Sequence, residues 1–389
     1  MWFGEGYMRT DFVEKISLSQ FFLMIVIFQL GTAIVIGLGQ SAKQDAWISV
    51  GIATIYGVLL IFAYCFMLSL LPGKGFYELL KIAYGSLLSR ILSYFYVLYF
   101  LYIAARVTRD FCELLTTAIY PKTPIEIISL SLALMCCYFL YQGIEVIGRS
   151  TEILFPYSAA FLILLVIFLF INRSFHSENL RPVLEFGWGP VFQAVFPSML
   201  GFPFGEIVAL TTVMVAVTRQ DYLTKVGISA VAAAGTILMI FTMINVSVLG
   251  VDMIDRVEFP LLSTIRDISI AKFIERLDAL VVFVMMLGIW LKVCVFLFAA
   301  LKGMESITLI PYRNFVFPIG LLVSSISVFI AANFAEHIEE GLVAVPLYLH
   351  IPFQIGIPLV TTVILLIKVR RRKGEKKHEG LDNVVQSEN

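Results

Sequence analysis

An all-α membrane fold with ten transmembrane helices is what this sequence predicts, and three observations carry it. Ten separate stretches are apolar enough and long enough to cross a bilayer, which takes about 20 residues. The chain is 59% hydrophobic and 14% charged, where a soluble domain carries about 25% charged residues, so no large soluble domain is hidden in it. The first and sixth apolar stretches are interrupted by glycine, and the sixth by proline as well. Hydrocarbon tolerates non-helical backbone only where it is buried in protein or lines a cavity.

Taken in order, residues 1–16 carry charges of both signs and no small-residue cleavage site follows. They read as a cytoplasmic N-terminal segment leading into a retained first helix. The spans are Ser17–Leu38, Trp47–Leu71, Leu88–Ile119, Pro124–Tyr141, Leu154–Ile171, Pro190–Val217, Val226–Leu249, Asp278–Leu301, Phe315–Ala332 and Val345–Val369, so that residues 17–369 make one transmembrane domain. With the N-terminus inside, 17 Lys/Arg fall on the cytoplasmic side and 8 on the outer side. That bias follows the positive-inside rule, and ten crossings return the C-terminus to the same side. Residues 370–389 form a basic tail of disordered composition, suited to anionic lipid. It abuts a membrane helix, which argues against nucleic acid as its partner.

Between spans, Pro72–Arg90 is long enough for an interfacial helix containing Phe76–Tyr84. Two outer loops, Asn172–Gly189 and Gly250–Leu277, are long, and the Phe259–Phe273 part of the second has the alternation of a short surface helix. Such loops gate a vestibule, receive a partner, or are solvated connections. The net charge of zero argues for no polyanionic partner. All five cysteines fall in apolar stretches, where they act as small hydrophobes. The four histidines are scattered in or near loops and form no ligand pattern. No metal site and no cofactor is expected. With no phosphate-binding loop, HExxH or GxSxG present, the chain does not read as an enzyme.

The interruptions and the charges inside the spans are where function is expected. In span one the break falls at Gln29-Leu30-Gly31-Thr32, exposing backbone groups to a ligand or, alternatively, allowing close helix packing through small residues. In span six, Pro197-Ser198-Met199-Leu200-Gly201-Phe202-Pro203-Phe204-Gly205-Glu206 combines two prolines, each lacking an amide donor, with two glycines. A half-helix starting near Phe204 points its free amides inward as an anion site. Glu206 in its first turn complements the helix dipole; a proline kink with a structural Glu206 is the plainer alternative. Lys292 lies near the middle of span eight beside Trp290. A charge at that depth costs about 2.5 kcal/mol or more, and Glu206 is its candidate partner, in a functional pair or a purely structural one.

Span three carries Arg106, Arg109, Asp110 and Glu113 after the apolar run Ile91–Ala105. The spacings Arg106–Asp110 and Arg109–Glu113 are i,i+4 and permit mutual neutralisation, as a hydrated outer vestibule or gate or as a self-paired patch. Tyr99 and Tyr102 lie on neighbouring faces of the same helix and line a pocket or pack as aromatics. Spans one and six cross in opposite senses, and two broken helices five spans apart are the mark of an inverted-repeat transporter.

Three motifs carry a family resemblance. Ile16-Ser17-Leu18-Ser19-Gln20 followed by Gln29-Leu30-Gly31-Thr32, then Leu71-Pro72-Gly73-Lys74-Gly75-Phe76-Tyr77-Glu78-Leu79, and above all Gly201-Phe202-Pro203-Phe204-Gly205-Glu206 resemble the B subunit of spore nutrient-germinant receptors. These are ten-span, permease-like proteins of endospore-forming bacteria, distantly similar to amino-acid/polyamine/organocation transporters. The resemblance implies a five-plus-five inverted repeat (a LeuT-like fold) with a ligand pocket between spans one, three, six and eight. It implies the spore inner membrane, an A-subunit membrane partner, a C-subunit lipoprotein partner, and a small nutrient as ligand, an amino acid first, with sugars or nucleosides as others.

Carried over to this chain, the resemblance implies ligand contacts at Gln29, Gly31, Thr32, Ser198, Gly201, Phe202 and Gly205, and at Tyr99, Tyr102, Ile103 and Ile289 on spans three and eight. Coupling or gating would fall to Glu206, Lys292, Arg106, Arg109, Asp110 and Glu113. The Lys292 ammonium would stand where some relatives bind sodium, which argues against a sodium requirement. The rival readings are an amino-acid transporter on the same fold, with Glu206 as proton carrier, and a scaffold with no pocket.

Overall fold

The computed structural model of the protein describes residues 14–254, 256, 257, 259–266 and 278–371. Ten helical segments have the length and hydropathy of membrane spans: Leu18–Ile36, Gln40–Ser69, Phe76–Thr117, Ile125–Gln142, Ile144–Ile171, Trp188–Met214, Gln220–Leu249, Leu280–Thr308, Tyr312–Phe329 and Pro346–Arg371. Each coincides with an expected span. Among the described residues there is no β-strand. Ile16 makes the isolated bridge to Val217, its amide donating to the Ala216 carbonyl at 2.9 Å and its carbonyl accepting from Thr218 at 3.0 Å. Most of the N-terminal segment 1–16 and of the tail 370–389, and the second half of the helix expected over Phe259–Phe273, lie outside the described residues; the described half is helical at Pro260–Arg266.

Two spans begin earlier than hydropathy suggests. The third helix starts at Phe76 and is bent at Gly85, whose φ of +79° an L side chain rarely adopts. Phe76–Tyr84 is thereby set off as the expected short helix. Its last carbonyls, on Ile82 and Ala83, accept from Lys368 Nζ at 2.9 and 3.0 Å, a cation at a helix C-terminus. The fifth helix starts at Ile144, not Leu154, directly after Gly143 (φ +109°), and its first turns carry the Glu145–Arg149 pair. The charged first turns thus continue the helix beyond the apolar stretch.

Spans one, six and eight form the centre, with 78%, 72% and 78% of their apolar windows buried, whereas span five is only 17% buried and faces outward. The central helices approach through small residues, as membrane helices do. A Cβ on Gly288 of span eight would stand 2.6 Å from the Gly31 Cα of span one. At Gly303 the Tyr77 hydroxyl occupies the equivalent position, 2.6 Å away, and donates to the Ala299 carbonyl at 2.9 Å.

Both ends of the bundle are tied across helices. At the Ile16 end, Glu14 accepts from Arg313 at 2.6 Å and from the Tyr312 hydroxyl at 2.8 Å. At the other end, the Leu184 amide donates to Asp45 at 3.0 Å and Gln44 donates to Glu185 at 2.8 Å. All five cysteines are buried free thiols, and the described residues hold no cluster fit for a metal ion.

Candidate functional site

Span one is broken where the sequence interrupts it. Its first helix, Leu18–Leu30, ends at Gly31 (φ 14°, ψ −119°), and a short second piece, Ala33–Ile36, follows Thr32. Gln29 and Thr32 are fully buried, and neither the Gln29 amide nor the Thr32 hydroxyl has a partner. Buried polar groups are normally hydrogen-bonded, so this break presents unspent hydrogen-bonding capacity.

Span six leaves helical geometry twice, at Phe196 (φ −110°, ψ 130°) and at Phe202 (φ −124°, ψ 128°). Each residue precedes a proline, whose ring drives the residue before it into extended backbone. Widened turns join the two positions, and a tighter helix resumes over Gly205–Leu210 with Glu206 in its first turn. The second interruption therefore fixes where the Glu206 carboxylate emerges, at the helix end favourable to an anion.

Lys292 reaches Glu206 from span eight. The two form an ion pair with side chains 0% and 3% exposed. The ammonium also lies 4.5 Å from the centre of the Phe202 ring and 5.5 Å from that of Phe28, cation–π contacts that are strongest when desolvated. Lys292 crosses the span-one break on its way: a Cβ on Gly31 would stand 2.9 Å from Lys292 Cδ. One side chain thus touches span one at its interruption and spans six and eight.

On the other side of Glu206 is a small chamber of about 50 Å³, walled by Arg106, Asp110, Phe202, Glu206, His337 and His350 among others. Asp110 lies 2.8 Å from His337 Nε2. Arg106 donates to Glu340 at 3.1 Å, to the Tyr102 hydroxyl at 3.2 Å, and to the His337 carbonyl. Arg109 pairs with Glu113 at 2.7 Å and donates to the Val328 carbonyl at 2.9 Å. Ligand pockets commonly measure about 300–1,000 Å³, so the chamber as it stands is too small for a ligand. A second cavity, about 320 Å³, lies at the Gly37 end between Gly37, Gln40, Gln193, Ser198 and Met199. Leu342 lines both spaces.

Span ten supplies a wall that the sequence reading lacked. Its first part, Pro346–Gly356, is wound in widened turns and packs on the span-six glycines: His350 Cδ2 lies 2.6 Å from where a Gly201 Cβ would be, and the Gln354 amide occupies the same place at Gly205. The Tyr99 hydroxyl sits 2.8 Å from His350 Nδ1 and accepts from Gln354 Nε2 at 2.8 Å. Tyr64 and Tyr96 donate to the Gln354 and Phe353 carbonyls at 2.6 and 2.7 Å.

Several expected residues come together, and others do not. Ile103, Arg106, Asp110, Phe202 and Glu206 meet at the chamber; Tyr99 backs it through His350. Ser198 faces the larger cavity. Gln29 and Thr32 are buried at the break but wall neither space. Ile289 is fully buried, and the span-eight residues that meet Gly31 are Gly288 and Lys292, one helical turn apart. Span ten and residues 337–345, not span eight, complete the chamber, because Lys292 approaches Glu206 from behind. The Arg106–Asp110 pairing is not formed: each takes a partner on the segment before span ten, while Arg109–Glu113 pairs as its spacing allows. His350 is not a loop histidine but a buried residue of span ten. Its signal was available as His350 and Gln354, two polar residues one turn apart within an apolar span.

Ten spans, two of them broken around a buried ion pair and a charged chamber, define a polytopic membrane protein. The family model described as spore germination protein matches residues 15–335. The chain belongs to this spore germination permease family. It is 37% identical to spore germination protein KB of Bacillus subtilis over 94% of this chain and 98% of that protein. It is 25% identical to spore germination protein YndE of the same organism over 76% and 81% of the two chains. It is 24% identical to spore germination protein XB of Bacillus anthracis over 66% and 70%.

Proposed function

We propose that this chain is the nutrient-sensing subunit of a spore germination receptor, which binds a small zwitterionic nutrient, an amino acid first, at the junction of its two broken helices. The observation that supports this most is the meeting of a carboxylate, Asp110, and a guanidinium, Arg106, in a buried chamber that abuts the span-six break. Both charges of a zwitterion would find a counter-charge there once Arg106 leaves Glu340 and Asp110 leaves His337, and the apolar wall of Ile103, Phe202 and Val345 suits a side chain. The larger cavity at the Gly37 end serves as antechamber, with Leu342 between the two. Lys/Arg bias makes that end the outer one, with both termini on the cytoplasmic side.

A ligand shifts a conformational equilibrium only by its differential affinity for the two states. Here the closed chamber is one state, and a ligand-sized chamber, reached when residues 337–345 move off span three, is the other. The five-plus-five inverted repeat, the spore inner membrane, and an A subunit and a C-subunit lipoprotein as recipients of the signal complete the reading.

A panel of amino acids and sugars, tested by ligand-dependent thermal shift on the purified protein, checks it. Saturable stabilisation by at least one nutrient, lost in Asp110→Asn and Arg106→Gln, is expected; no shift across the panel would overturn the reading. The rival reading, an amino-acid transporter with Glu206 as proton carrier, rests on the buried carboxylate at the break. Concentrative uptake of labelled nutrient by the isolated protein in proteoliposomes would decide for it.

A further inference from the structure

A third cavity lies on the far side of span one from the chamber. It measures about 350 Å³ and is bounded by spans one, five, seven and eight, through Gly31, Ile34, Ala159, Ile163, Phe241 and Gly288 among others. Of the side chains that line it only Ser158 is polar, and its hydroxyl donates to the Leu154 carbonyl at 3.5 Å. Nothing there recognises a zwitterion or holds water, since apolar cavities stay dry.

The cavity does not close against protein. Its rim is formed by Ile163 and Ile167, 61% and 47% exposed, on span five, which also exposes Ile153, Phe170 and Ile171. That span is 28 residues long, with mean hydropathy 2.7, so the surface surrounding the rim is bathed in lipid hydrocarbon. A void beside hydrocarbon forfeits dispersion contacts along its whole lining, and the chains next to it are the groups that restore them.

We propose that this cavity is a binding site for one acyl chain of a bilayer lipid, which enters between spans five and seven, past Ile163 and Ile237, and ends against the Gly31–Gly288 contact. The site is continuous with the lipid phase through Ile163 and Ile167 and carries no charge to hold a headgroup, so the chain inserts while its headgroup stays at the interface. Its inner end abuts the backbone of the span-one break, whose opposite side carries the Lys292 stem. The inserted chain therefore packs behind the break and holds Gly31 against Lys292.

The test uses the full-length protein in vesicles of phosphatidylethanolamine and phosphatidylglycerol doped with a phospholipid that carries a photoactivatable diazirine near the end of one acyl chain. Mass spectrometry then maps the adducts. Labelling of the inner wall at Ile34, Phe241 and Val284 is expected alongside labelling of the outward residues Ile153 and Phe170. Two variants fill the space from different walls, Ala159→Phe and Ile237→Phe. In each, inner-wall labelling should fall by about tenfold while labelling at Ile153 and Phe170 persists, which also reports that the protein is folded in the bilayer. Wild-type labelling confined to Ile153 and Phe170 would overturn the proposal. So would inner-wall labelling unchanged in both variants.

Discussion

The aliphatic stem of Lys292 lies on Gly31, so close that a Cβ there would stand 2.9 Å from Lys292 Cδ. The glycine at the span-one interruption is therefore what lets the lysine reach Glu206 on span six. Gly31→Ala is expected to push the lysine aside, because its stem is flexible, and, on the proposed reading, to weaken the nutrient response. Gly31→Leu should abolish the response on the proposed reading, since three further carbons then compete with the Lys292 Cδ and Cε, 2.9 and 3.2 Å from the Cβ position. Dose–response curves for germination, normalised to protein abundance in the membrane, check this; a wild-type response from Gly31→Leu would refute it.

The Glu206–Lys292 pair is buried on all sides. Removing one partner strands the other, a loss of about 3–5 kcal/mol, so Glu206→Gln and Lys292→Met should each lower the melting temperature or the abundance of the protein. The double variant leaves no charge behind and should regain stability. If the pair couples the two breaks, the double variant stays unresponsive to nutrient although it is stable. Recovery of both stability and response would make the pair structural only.

Tyr99 joins span three to span ten through His350 and Gln354. Tyr99→Phe removes the hydroxyl that bonds both groups, which keep each other at 3.0 Å, so the loss is about 0.5–1.5 kcal/mol. The melting temperature should fall accordingly, and the response should shift to higher nutrient concentration because the span-ten wall loosens. A melting curve and dose–response identical to wild type would show that the contact contributes nothing.

Arg106, held by Glu340, and Leu342 wall the chamber, and Leu342 also lines the cavity at the Gly37 end. Glu340 is 42% exposed, so the pair contributes no more than about 1 kcal/mol. Glu340→Gln should then speed maleimide labelling of an Ile103→Cys reporter by about fivefold. Leu342→Ala, which merges the two cavities, should speed it further. All native cysteines are buried and give little background. Equal labelling rates in all three backgrounds would place the access route elsewhere.

Lys292 already supplies a cation at the junction of the broken helices. Replacing sodium with N-methylglucamine should therefore leave the nutrient dose–response unchanged. A shift of tenfold or more on sodium removal would show that the ammonium does not serve in place of the ion.

Much of this architecture is legible along the chain because a bilayer imposes one-dimensional rules. Apolar length marks the ten spans, and the prolines after Phe196 and Phe202 mark where span six leaves helical geometry. Lys292 in mid-span announces a buried partner, and Glu206 is the carboxylate the sequence offers for it. What stays hidden is which faces meet. Arg106 and Asp110 have the spacing to pair with each other and do not, because a backbone carbonyl and two ionisable side chains of residues 337–340 converge on them from more than 200 positions away in sequence. His350 and Gln354 look like stray polar residues of the last span until its widened turns lay them on Gly201 and Gly205.

The sequence by itself determined the spans, the two interruptions and the identity of the intramembrane charges, because hydrophobic length, proline chemistry and the expense of a buried charge are local properties. Only the tertiary structure decided that span ten rather than span eight walls the chamber, and that Lys292 reaches Glu206 past Gly31. Those outcomes depend on the rotation of each helix about its axis, which is set by the packing of small residues between helices distant in the chain.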